Sequence, residues 1–105
     1  MPKKEFNGTS VDVNDEGYLT DHSQWTKDIA EAIAAEEGIS EMTDFHWQVI
    51  EFLQKDYKEK GSLPSIRRIK KAGNIPTKEF YQHFPEGPLK KAAKIAGLPK
   101  PESCV

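Results

Sequence analysis

The 105-residue sequence has one cysteine, three histidines and no long apolar run. A single cysteine excludes an internal disulfide and a zinc site built from several cysteines. No apolar stretch approaches the roughly 20 residues of a membrane-spanning helix, and residues 1–5 lack the apolar segment of a secretory signal. A glycine-rich phosphate loop is also missing. These absences predict a cytoplasmic protein without metal or cofactor, and they do not favour a hydrolase or a metalloenzyme.

Charge is distributed unevenly along the chain. The formal net charge is only −2, but residues 1–51 hold 12 acidic and 3 basic side chains, whereas residues 52–105 hold 5 acidic and 12 basic ones. This asymmetry favours a positive face directed towards an acidic protein, a nucleic acid or an anionic substrate. A set of solvated helix faces is the alternative interpretation.

The hydrophobic pattern predicts a mainly α (α+β) fold in a single domain, residues 1–105. Asn7-Gly8 lies between short alternating stretches and predicts an amino-terminal β-hairpin. A second turn at residues 14–17 leads to Tyr18-Leu19, a possible third strand. Apolar spacing and capping residues then predict a small helical bundle. Helices are predicted at about residues 23–37, 43–60, 65–72, 77–83 and 88–96. Thr43 is the predicted cap of the second helix, and Thr77 is the predicted cap of the fourth.

A basic strip covers the third and fourth predicted helices. The first of these two helices contributes most of the cations, and together they resemble a helix-turn-helix. The strip consists of Arg67, Arg68, Lys70, Lys71 and Lys78. Phe80 and Tyr81 are expected in the core, which leaves few side chains to enter a DNA groove. DNA binding is therefore one possibility, and an anion-attracting surface for an acidic protein or for a thiolate is another.

The histidines do not form a recognisable catalytic pair with the thiol. His46 is expected at the edge of the core, His83 at a helix end where the dipole favours it, and His22 in a polar loop. None has a distinctive spacing to Cys104. Nucleophilic catalysis also needs fixed geometry, which an extended tail does not supply.

Cys104 lies near the end of an eight-residue run that begins after the last helix. Gly97 ends that helix, and Pro99 and Pro101 favour an extended arm. Eight residues at roughly 3.3 Å each would carry the sulfur about 25 Å from the body. Nearby cations lower the pKa of a thiol, so docking close to Arg67, Arg68, Lys91 or Lys94 would make Cys104 more nucleophilic. A cysteine without a role is the alternative.

Three stretches of the sequence resemble the DsrC/TusE family of small sulfur-carrier proteins. They are YQHFPEGP at 81–88, KIAGLPKP at 94–101 and CV at 104–105. Upstream, Gly17-Tyr18-Leu19, His46-Trp47 and Pro64-Ser65-Ile66-Arg67 also match. The resemblance covers essentially the whole chain and implies a helical bundle with an amino-terminal hairpin and a mobile arm at 98–105.

The same resemblance implies that Cys104 accepts sulfane sulfur as a persulfide and passes it on. Its partners would be a sulfur-donor protein and an acceptor, such as a sulfite reductase or a tRNA-thiolating enzyme. The residues assigned to the arm and its hinge are Gly97, Leu98, Pro99, Lys100 and Pro101. The residues expected to contact the docked arm are Arg67, Arg68 and Lys71.

The sequence departs from the family pattern at two places. Ala93 occupies the position of a second cysteine in DsrC of dissimilatory sulfur metabolism, so an intramolecular disulfide is not possible. A short insertion that TusE carries before the residue matching Tyr81 is missing. Single-cysteine relatives exist outside both groups, so the alternative function is that of a regulatory, DNA-binding protein or a gamma-type accessory subunit of sulfite reductase.

Overall fold

The computed structural model describes residues 3–6 and 8–101, and it contains five α-helices after an amino-terminal hairpin. The predicted mainly α class with a β-hairpin is confirmed. The strands are β1 (Lys3–Phe6) and β2 (Thr9–Asp12), and a 3₁₀ turn covers His22–Gln24. The helices are α1 (Lys27–Glu36), α2 (Asp44–Lys60), α3 (Ile66–Ala72), α4 (Thr77–His83) and α5 (Pro88–Ile95).

The hairpin has the predicted two-residue loop. β1 and β2 are antiparallel and Phe6 pairs with Thr9, so only residues 7 and 8 connect them. Gly8 has a φ of +84°, which a glycine adopts without steric cost. The possible third strand is reduced to one bridge between Val13 and Leu19.

The first predicted helix begins later than expected. Residues 23–37 were predicted as one helix, but a 3₁₀ turn and α1 replace it. The Asp21 side chain accepts from the Ser23 N–H, and the Thr26 side chain accepts from the Ile29 N–H, so two separate caps start two separate elements. Trp25 lies between them in an extended conformation.

Helix α5 is the centre of the core. It packs against both α1 and α2, and Ala92, Ala93 and Ala96 at its end are fully buried. Alanine side chains allow neighbouring elements to approach closely. The carboxyl-terminal end of α5 is therefore enclosed by protein on several sides.

Helix α3 is attached to α2 by an ion pair. Asp56 of α2 is 3% exposed, and the Arg68 guanidinium donates to both of its carboxylate oxygens, at 2.6 to 3.1 Å. These hydrogen bonds raise the pKa of Arg68. A bidentate pair of this kind sets the orientation of α3 on α2.

Two expectations for α4 are wrong. Thr77 is the first residue of the helix and not its cap; Pro76 holds the cap position, without a side-chain hydrogen bond. Phe80 is buried as predicted, but Tyr81 is 46% exposed. Phe80 and Phe84, four residues apart, share one buried face, whereas Tyr81 is turned about 100° from Phe80 around the helix axis and remains exposed.

His46 lies at the edge of the core, as predicted, and caps α2. Its Nδ1 accepts from the Thr43 N–H at 3.0 Å, and its Nε2 is 3.0 Å from the His83 carbonyl oxygen. Because a carbonyl only accepts, the proton of the neutral ring must be on Nε2. Burial lowers the pKa of His46. A second proton on Nδ1 would also break the cap.

We expect His46 to make folding stability depend on pH. Its folded-state pKa lies below the unfolded value of about 6.5, so its contribution is present above pH 6.5 and is lost as the pH falls towards the lowered pKa. The unfolding free energy of wild type should therefore exceed that of His46→Gln by less at pH 5 than at pH 7. Urea denaturation at both pH values measures this difference. An equal difference between the two proteins at pH 5 and pH 7 would contradict this prediction. His22 and His83 are present in both proteins, so their contributions cancel in the comparison.

Candidate functional site

Of the predicted arm and its hinge, the structure describes residues 97–101. Cys104 lies outside the described residues, together with 102, 103 and 105. The site can therefore be built from the end of α5 up to Pro101. Its parts are the helix terminus, the side chains that enclose it and two neighbouring grooves.

Helix α5 ends in a Schellman motif. Gly97 has a φ of +74°, and its N–H donates to the Lys94 carbonyl at 3.2 Å. The Leu98 N–H donates to the Ala93 carbonyl at 2.9 Å. This pair of bonds around a left-handed glycine is a common helix ending, and it confirms that Gly97 ends the last helix.

Three side chains satisfy the next three carbonyls. Trp25 Nε1 donates to Ile95 O at 2.8 Å and Gln54 Nε2 donates to Ala96 O at 2.9 Å. His22 Nδ1 is 3.1 Å from Gly97 O, and it must be the donor because the carbonyl only accepts. We call Trp25, Gln54 and His22 the carbonyl clamp. They come from two parts of the chain: His22 and Trp25 from the 3₁₀ turn and its cap, and Gln54 from α2.

The clamp was missed in the sequence. His22 was expected in a polar loop and Trp25 within a helix, and Gln54 was not singled out. A histidine, a tryptophan and a glutamine without a common spacing give no local signal that they meet at one helix terminus.

The first residues of the arm lie against the body. Leu98 is 2% exposed, and Pro101 is buried. Lys100 forms an exposed ion pair with Glu16 at 2.8 Å, which is worth little by itself. Three further residues lead from Pro101 to Cys104, and at full extension they span about 10 Å. Measured from buried Pro101, the reach of the Cys104 sulfur is therefore shorter than the distance of about 25 Å expected from the sequence.

Two grooves flank this segment. The larger, about 1070 Å³, lies between α2 and the loop before the 3₁₀ turn, and Gly97–Pro99 form part of its wall together with His22 and Gln54. The smaller, about 390 Å³, lies between residues 61–65 and Pro99–Pro101. Pro99 lines both grooves, so the arm runs along the boundary between them.

The predicted docking cations differ in their surroundings. Arg68 is engaged with Asp56, so the structure gives it a role in holding α3 on α2. Arg67 and Lys71 are exposed, and neither forms an ion pair within residues 3–6 and 8–101. Ser65 lines the smaller groove, two positions before Arg67. Arg67 is thus the predicted cation that is nearest in sequence to the groove wall.

Other candidate sites gain no support in the described part of the chain. No group of three or more metal-ligating side chains is found there, and no helix in it is long and apolar enough to cross a membrane. Ala93, the position of the second cysteine in dissimilatory DsrC, is completely buried beneath the turn that ends α5.

A family model described as "DsrC like protein" matches residues 5–105. The chain belongs to the DsrC-like family. This match confirms the resemblance to DsrC and TusE, and it includes the matched arm and Cys104. The fold agrees as well: the solved structure described as dissimilatory sulfite reductase I (DsrI) superposes with a TM-score of 0.88 at 37% identity, covering 99% of this chain and 100% of that one.

Two relatives carry the names of the two groups that the sequence resembles. The "Sulfurtransferase TusE homolog" of Haemophilus influenzae is 44% identical over 107 residues, 95% of this chain and 97% of the relative. The "Sulfite reductase, dissimilatory-type subunit gamma" of Nitratidesulfovibrio vulgaris is 39% identical over 105 residues, all of both chains. The first alignment has 107 positions but covers only 95% of the 105 residues of this chain, so the relative carries insertions. The second alignment covers both chains completely over 105 positions and needs no net insertion.

We predict that Gly97 tolerates a side chain less well than Gly61 does. Both have a φ near +75°, but a Cβ at Gly97 would lie 2.6 Å from Trp25 Cδ1, whereas one at Gly61 would meet nothing within 4 Å. Gly61→Ala should cost about 1 kcal/mol, and Gly97→Ala about 3 kcal/mol because overpacking adds to the strain. Equal losses in urea denaturation would contradict the close packing of Trp25 on Gly97.

Proposed function

We propose that this chain is a sulfur-relay carrier in which Cys104 holds the sulfur as a persulfide. The observation that carries the proposal is the family match, which extends through the only thiol of the chain and includes relatives named as sulfurtransferases and as sulfite reductase gamma subunits. A thiol that must remain reduced between loads fits the cytoplasm, which we propose as its compartment.

The transfer needs no cofactor. The Cys104 thiolate attacks the outer sulfur of a donor persulfide, the S–S bond of the donor breaks, and the donor leaves as a thiolate that takes up a proton. A new S–S bond now joins the outer sulfur to Cys104. In the second step an acceptor thiolate attacks that outer sulfur and Cys104 leaves as the thiolate. Each step exchanges one S–S bond for another, so there is no net oxidation.

The geometry of the arm suits delivery to a partner. Buried Leu98 holds the base of the arm at one place on the body, and the residues after it carry the sulfur to a partner. With Ala93 buried at the position of a second cysteine, the protein has no internal thiol to displace the outer sulfur. The persulfide would therefore persist until a partner thiol arrives.

A gamma-type association with a sulfite reductase is the second candidate. This chain aligns with the gamma subunit over its full length without net insertion. That agreement favours association with a sulfite reductase over docking to a partner that recognises the insertion in TusE. DNA binding is not supported: Arg68 is occupied by Asp56, and the matched relatives are named for sulfur chemistry. Co-purification with a sulfite reductase, lost when residues 98–105 are removed, would favour the gamma-type association.

Intact mass spectrometry tests the carrier directly. After incubation with a persulfide-loaded sulfurtransferase, wild type should gain the mass of one sulfur atom, and added dithiothreitol should remove it. Cys104→Ser should gain nothing. Wild type that stays unloaded with several donors, while the donors load a control thiol, would contradict the carrier function.

We also predict that Arg67 promotes ionisation of the thiol. Arg67 is exposed and is one of the cations that we expect the docked arm to contact. An anion in its place would disfavour the thiolate, so Arg67→Glu should slow alkylation of Cys104 by iodoacetamide at pH 7 about threefold. Lys78→Glu on α4 makes the same change in net charge and serves as the matched control. Equal rates in the two variants would show that only net charge acts and would exclude Arg67 as an arm contact.

A further inference from the structure

The end of α5 is enclosed more completely than a helix end requires. Six consecutive carbonyls, from Ala92 to Gly97, all accept hydrogen bonds. Backbone N–H groups satisfy the first three, and the carbonyl clamp satisfies the last three. The final carbonyls of a helix are often left to water, whereas here side chains from the 3₁₀ turn with its cap residue and from α2 bind them.

The clamp acts on the segment from which the arm departs. The Trp25 ring also packs on the Gly97 backbone, close enough to exclude a Cβ, and Leu98 is buried and bonded to Ala93. A hinge needs room for large changes in φ and ψ. The backbone at Gly97 has no such room, although the sequence suggests a hinge there.

We propose that Trp25, Gln54 and His22 are positioning residues of the carrier arm, which lock the backbone through Leu98 so that movement of the arm begins at Pro99. The proposal rests on the proposed sulfur-relay function, because its consequence is that the lock determines where on the surface the sulfur is presented. Pro99 is exposed and lies between the two grooves. A change in its ψ would move buried Pro101 out of the smaller groove and redirect the residues that follow, while Leu98 stays in the core.

Presentation from a fixed root should speed transfer. A tether that begins at a defined point and contains few movable residues keeps the thiol in a small volume, which raises its effective concentration at a docked partner. Release of the lock would lengthen the movable segment and disperse the thiol. The number of sulfur atoms that Cys104 can hold would not change.

Hydrogen exchange of the Leu98 amide is the primary test, with Gln54→Glu as the variant. A carboxylate at position 54 keeps the size of the side chain, removes the donor and repels the Ala96 carbonyl. Gln48→Glu is the matched control, because it makes the same change at an exposed position of the same helix. Trp25→Phe, which retains most of the ring, and His22→Ala test the other two members.

We expect Leu98 exchange to rise about fivefold to tenfold in each clamp variant, as for the loss of one hydrogen bond, while the Leu53 amide inside α2 is unaffected. Sulfur transfer from loaded Cys104 to a partner thiol should slow about fivefold, and loading should remain at one sulfur per chain. The Gln48→Glu control should match wild type in all three measurements.

Two results would overturn the proposal. Unchanged Leu98 exchange in all clamp variants would show that the lock does not depend on these side chains. Faster Leu98 exchange with unchanged transfer would show that the lock does not position the sulfur. If wild type takes up no sulfur, the carrier function fails, but the exchange measurement still decides whether the clamp holds the arm, because it requires no sulfur.

Discussion

The structure depends on how the carboxyl-terminal end of α5 satisfies its carbonyl groups. Ala96, Gly97 and Leu98 at this end are buried, and side chains take the place of water at the last three carbonyls. An unsatisfied buried carbonyl costs about as much as a lost hydrogen bond. The chain therefore needs three donors there, and it obtains them from the 3₁₀ turn, the residue after it and α2. That requirement ties the amino-terminal third of the chain and α2 to the origin of the arm.

The same constraint explains how a very small domain can carry a reactive group without a conventional active site. In the proposed carrier, the rigid part is the root of the arm, and the chemistry is confined to the one thiol several residues beyond it. Because the chain has a single cysteine, that proposal requires the sulfur to be handed to another protein. A relay protein of this kind needs accurate presentation of its cargo and little catalytic machinery, which fits the family to which the chain belongs.

The cations of the basic strip differ in their roles, which their number in the sequence does not show. Five cations on α3 and α4 suggest one continuous anion-binding surface, but Arg68 is bound to buried Asp56 and contributes to packing. Its neighbour Arg67 is exposed to solvent. Adjacent residues on one short helix thus have different roles, because a helix turns by about 100° per residue and one side of α3 faces α2. The position of Asp56 in the tertiary structure decides which arginine is engaged.

The sequence by itself determined the elements whose signals are local. Asn7-Gly8 specified the hairpin, Thr43 and Gly61 bounded α2, and Gly97 ended α5, since turns and caps depend on the conformational preferences of single residues. The motifs around Tyr81, Gly97 and Cys104 also identified the family. Only the tertiary structure decided that Tyr81 is exposed, that the long first helix is interrupted, and that His22, Trp25 and Gln54 converge on three carbonyls. Those outcomes depend on which surfaces meet when helices pack, and residues brought together by packing share no spacing along the chain.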